Sequence, residues 1–103
     1  MKVIRNGRKY DTKTATMVGD WCNMPDSRDF YYCYEALYRK QNGEFFLYGC
    51  GGPCSRYSVS CGSNSWSGSE RIIPLSIDEA REWAEEHLDG DEYEKIFGEV
   101  TED

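Results

Sequence analysis

The stretch "FYYCYEALYRKQNGEFFLYG", residues 30–49, decides how the rest of the chain is read. Aromatic and aliphatic residues crowd both sides of Gln41-Asn42-Gly43, which predicts a central β-hairpin, with Gly43 supplying the positive φ that a tight loop needs. Its register is open. A two-residue Asn42-Gly43 turn sets Gln41 opposite Glu44 and puts Cys33 and Cys50 on one face as diagonal neighbours. A three-residue loop with a glycine bulge slips the pairing by one and sends the two cysteines to opposite faces.

Upstream, "KVIRNGRKY" reads as two short strands around the hairpin signal Asn6-Gly7. "DTKTATMVG", from the N-cap-type Asp11 to Gly19, predicts a helix of barely two turns, and "DWCNMPDSRD", with Pro25, predicts a loop. Downstream, residues 49–69 are rich in Gly and Ser and predict a long loop with one short strand near "RYSVS". "RIIP" reads as a short strand. In "LSIDEAREWAEEHL", Ser76 and Glu79 form a capping box, and Ala80, Trp83, Ala84, His87 and Leu88 make one stripe, so a helix is expected over 77–88. A second short helix, "DEYEKIF", stops at Gly98. The sum is an α+β fold in one compact domain, residues 1–103: a small antiparallel sheet, one short N-terminal helix and two C-terminal helices, the longer packed on the sheet through Trp83, Ala84 and Leu88.

A hydrophobic content of 39% with 15% aromatics excludes a disordered tail. No apolar run reaches the roughly 18 residues of a membrane span, and the N-terminus lacks a signal-peptide core, so a cytoplasmic protein is expected. Charge is divided along the chain. Residues 1–61 carry nine Lys/Arg and six Asp/Glu, whereas 62–103 carry three and thirteen, a net of −10. Such an acidic third repels nucleic acid and complements a basic protein surface. The plain alternative is a solvated helix face that keeps a small protein in solution.

Five cysteines, Cys22, Cys33, Cys50, Cys54 and Cys61, are spaced C-x10-C-x16-C-x3-C-x6-C. An odd number without a secretion signal favours reduced thiols and a metal over disulfides. A thioredoxin-like redox pair needs a helix after its cysteines, and "SRYSVSCGSNS" is a poor one. Cys33-Tyr34-Glu35 and Pro53-Cys54 imitate halves of a zinc deaminase signature, but the next cysteine follows Cys54 too late. The expected arrangement is a closed structural Zn2+ site of Cys33, Cys50, Cys54 and Cys61, with Cys22 in reserve as the fourth ligand, stapling the Gly/Ser loop. Small buried thiols are the alternative. His87, the sole histidine, sits on the apolar edge of a helix, where a packed residue is commoner than a ligand or base. Ordinary hydrolase and kinase motifs are missing from the sequence, so a non-enzymatic protein is expected.

Taken together, "IRNGRKYDTKTA", "ALYRKQNGEFFLYG", "IIPLSIDEAREWAEEHL" and "YEKIFGEV" resemble a family of small phage and mobile-element proteins of Gram-positive bacteria. The resemblance spans nearly the whole chain and carries no catalytic motif. Some such proteins are anti-CRISPR inhibitors of type II-A Cas9, one of them zinc-binding. The family pattern has other residues where this chain has Cys50 and Cys54, so the metal site rests on spacing alone. The resemblance implies a monomeric inhibitor that binds Cas9, with or without guide RNA, rather than nucleic acid directly, and blocks DNA loading. Cas9 offers a strongly positive channel to an acidic face. Asp78, Glu82, Glu85, Glu86, Asp89, Asp91 and Glu92, on the outward sides of the last two helices, are the expected contacts, with Tyr31, Tyr32 and Tyr57 as apolar anchors. The alternatives are a zinc-stabilised adaptor or regulator of the mobile element without a CRISPR role, and a zinc hydrolase or deaminase using a water-accessible Glu35.

Overall fold

A computed structural model describes residues 1–63 and 65–102. It corrects the α+β expectation: among the described residues the chain is mostly β, with eight strands and two helices. The order is β1 (Lys2–Arg5), β2 (Arg8–Asp11), β3 (Thr16–Cys22), β4 (Cys33–Arg39), β5 (Phe45–Gly51), β6 (Val59–Gly62), β7 (Ser65–Ser67), β8 (Ser69–Leu75), α1 (Ile77–His87) and α2 (Gly90–Phe97). A four-stranded antiparallel sheet, β3-β4-β5-β8, is joined by two separate ribbons, β1-β2 and β6-β7.

No N-terminal helix forms over residues 11–19. The Asp11 carboxylate does accept a backbone N–H, that of Lys13 at 2.9 Å, but the turn ends at Ala15 and Thr16 enters a strand paired to β4. The N-cap signal and the Asx-turn signal are the same chemistry. Thr16 and Val18 favour the pleat, and a strand there covers the edge of β4. Gly19 is not a helix stop either. It lies under Leu88, whose Cδ1 would come within 2.8 Å of an added Cβ.

The central hairpin takes the slipped register. Arg39 pairs with Phe45 and Cys33 with Gly51, leaving Gln41-Asn42-Gly43 as a three-residue loop. Gly43 N–H donates to the Lys40 carbonyl and Lys40 N–H to the Glu44 carbonyl, with Gly43 at φ +92°, the geometry of a glycine bulge. The Gly/Ser segment is more ordered than its composition suggests, since β6 and β7 pair within it and "RIIP" extends to the seven residues of β8. Pro74 is tolerated because β8 is a sheet edge.

Alternation along the strands divides the core in two. Leu37, Phe45 and Leu47 face α1 and meet Ala80, Trp83 and Ala84, while Phe46 and Ile72 face the opposite way and meet Tyr10 of the β1-β2 ribbon. The sheet is therefore covered by helices on one side and by a small hairpin on the other. Helix α1 starts at the expected capping box, Ser76 with Glu79, and α2 is capped by Asp89 and ended by Gly98. Among the described residues no helix is long and apolar enough to cross a membrane.

Candidate functional site

The helix side of the sheet holds a buried carboxylate. Glu35, on β4 between Cys33 and Leu37, is 1% exposed. Its Oε1 accepts the Trp83 indole N–H at 2.9 Å, and its Oε2 accepts Arg56 Nη1 at 2.9 Å and the Tyr57 hydroxyl. His87 Nε2 stands 3.9 Å from Oε1, its ring 4.2 Å from that of Trp21. Three segments distant in sequence thus converge on one anion: β4, the Gly/Ser segment and α1. The charge is compensated by Arg56 and the lone pairs are occupied, as burial of a carboxylate demands.

Tyr57 makes this possible by crossing over β5. Its ring is fully buried, and a Cβ on Gly49 would lie 1.9 Å from its Cζ, so only glycine leaves room. Burial, reinforced by the bond to Glu35, pushes the Tyr57 phenol well above its ordinary value, which keeps it a hydrogen-bond donor. Tyr57 is therefore part of the core and not an interface anchor, whereas Tyr31 remains exposed. Glu35, enclosed and fully bonded, lacks the water access that a deaminase-type proton shuttle needs.

The cysteines do not assemble as the spacing suggested. Because Cys33 pairs with Gly51 and Cys50 with Tyr34, Cys33 and Cys50 point to opposite faces of the sheet. Cys33 is buried on the helix side, where burial, and then the charge of Glu35, raise its thiol above the ordinary value. Cys22 pairs with Tyr34 and so shares the face of Cys50, two strands or about 10 Å away, too far for a disulfide. Cys54 and Cys61 are exposed, and all five thiols are free. Among the described residues no three His, Cys, Asp or Glu side chains stand together as a metal-holding group. The set Cys33, Cys50, Cys54 and Cys61 does not fit a tetrahedral zinc in this arrangement.

The acidic residues outnumber Arg81 and Lys95, the exposed basic residues of the same two helices. Asp78, Glu82, Glu85, Glu86, Asp89, Asp91 and Glu92 are all exposed on α1, α2 and the link between them. Among the described residues none of the seven pairs with a Lys or Arg; Glu86 alone approaches a basic group, His87 Nε2 at 3.7 Å. Asp89 is partly committed, since its Oδ1 accepts the Glu92 N–H. Sequence reasoning found this face but missed the buried anion beneath it. The signal for Glu35 was its place in an alternating apolar strand on the same side as Leu37.

Compared with known proteins, the chain matches no family model, no curated protein and no solved structure.

Proposed function

We propose that this chain is a non-enzymatic binding protein that docks its acidic helical face on a basic protein surface, and that type II-A Cas9, the partner implied by the sequence resemblance, is its target. The observation that carries the reading is the row of seven exposed carboxylates left without lysine or arginine partners among the described residues. Unpaired surface carboxylates on two capped helices form a preorganised anionic face, because α1 is fixed to the sheet by Trp83 and Glu35. Such a face gains from long-range attraction to a positive channel and needs little rearrangement on contact. The reading rests on the helices and not on a metal.

Pull-down of the purified chain with Cas9, with and without guide RNA, tests it. Stoichiometric capture that weakens as salt rises, with Cas9 and guide left intact, is the expected outcome. Cleaved guide RNA at sub-stoichiometric amounts of the chain would indicate an enzyme, and absence of capture would remove Cas9 as the partner.

A further inference from the structure

We propose that the groove between α1 and α2 grips the partner, taking one apolar side chain flanked by lysines or arginines. The inference rests on the reading of the helical face as a docking face and names the chemistry that face selects. The groove is shallow and open to solvent, with a volume of about 510 Å³. Leu88, Tyr93 and Val100 supply apolar lining, and Glu85, Asp91 and Glu94 supply acidic lining.

Two features keep it open and shaped. Helix α2 buries no residue fully, so its apolar side is only half covered by the rest of the molecule. The Glu94 carboxylate accepts the Val100 N–H at 2.7 Å, which pins the tail as a wall while Val100 itself remains 56% exposed. Exposed apolar lining favours an apolar occupant. Glu85 and Asp91 carry no cationic partner among the described residues, so the acidic lining favours basic residues beside that occupant and repels acidic ones. A basic surface with a protruding aliphatic residue satisfies both demands.

Gly90 offers a clean plug. It opens α2 at the lip of the groove, and a Cβ added there meets no atom within 4 Å, so Gly90→Trp narrows the groove without changing charge. The probes are two synthetic peptides of equal charge, KRLKR and KRSKR, titrated by fluorescence anisotropy against the wild-type chain and Gly90→Trp, with Val100 and Leu88 methyl shifts followed by NMR. The leucine peptide is expected to bind about tenfold more tightly, as burial of one apolar side chain implies, and to shift both methyl groups. In Gly90→Trp, with melting unchanged, that preference disappears while weak charge-driven binding persists. Equal binding of the two peptides, binding of neither, or a preference that survives the plug overturns the proposal. A parallel titration with Cas9 separates the two readings. Peptide preference without Cas9 binding removes Cas9 and keeps the groove, whereas Cas9 bound equally by wild type and Gly90→Trp removes the groove and keeps the docking face.

Discussion

Glu35 joins the sheet, the Gly/Ser segment and α1, and its substitution is the most informative single change. Glu35→Ala leaves the Trp83 indole N–H and the Tyr57 hydroxyl without their acceptor and Arg56 without its counter-charge. Arg56 is more than half exposed and turns to water, but the indole N–H and the hydroxyl stay buried at about 1–3 kcal/mol each, so chemical denaturation is expected to show a loss of about 2–4 kcal/mol. Tyr57→Phe removes one bond and keeps the ring, for a loss of about 1–2 kcal/mol. A Glu35→Ala protein as stable as wild type would show that the cluster does not form. Little of this was legible in the sequence. Alternation in Cys33-Tyr34-Glu35-Ala36-Leu37 places the glutamate on the core side, but Arg56 and Tyr57 open the short strand expected near "RYSVS" inside a long loop, and no local pattern ties them to Trp83 forty-eight residues from Glu35. Gly49 was equally silent. A glycine required by a ring passing 1.9 Å from its missing Cβ looks, in sequence, like any glycine in a turn-rich segment.

At the scale of elements, the sequence disclosed what local chemistry determines and missed what pairing determines. The capping box of α1, its apolar stripe and the Gly98 stop are encoded within a few residues, and both C-terminal helices stand where those signals put them. Residues 11–19 misled because Asp11 starts a turn as readily as a helix, and because only β4 supplies the hydrogen bonds that make Thr16–Cys22 a strand. The register of the central hairpin hung on one residue of loop length, and with it whether Cys33 and Cys50 share a face. If elemental analysis finds zinc on the purified protein, Cys33→Ala is expected to retain it, since Cys33 is buried on the other face from Cys50; loss of metal from Cys33→Ala would contradict the register. The turn itself has a pH dependence of known sign. Hydrogen bonds from Asn42 and Lys40, aided by the charge of Arg8, hold Glu44 down to about 2 from an ordinary value of 4.5. A depressed carboxylate contributes stability above its unfolded value and loses it as pH falls through the folded one, so the contribution is present above about pH 4.5 and disappears toward pH 2. NMR of the Asn42 and Gly43 amides across that range is expected to follow the loss, and Glu44→Gln to abolish the titration. Amide shifts that move no more in wild type than in Glu44→Gln would contradict the arrangement.

For the whole molecule, the layering sorts charge. Lys2, Arg5, Arg8 and Lys9 are exposed on the β1-β2 ribbon, and the seven unpaired carboxylates are exposed on the helices, with the four-stranded sheet between the two layers. The sequence showed this division as a net of −10 in its last third, but only the fold places the opposite charges on opposite faces. A partner that reads the acidic layer therefore meets little of the basic one. The direct test is to reverse charge at Glu82, Glu85 and Glu86 together, positions that are exposed and do not touch Glu35, Glu86 approaching only His87 at 3.7 Å, and to titrate wild type and variant against Cas9 by calorimetry at two salt concentrations. The account predicts unchanged melting, salt-sensitive binding by the wild-type chain, and a loss of at least about tenfold in affinity for the variant. Equal affinity of the two proteins for Cas9, or binding of the wild type that ignores salt, would contradict it.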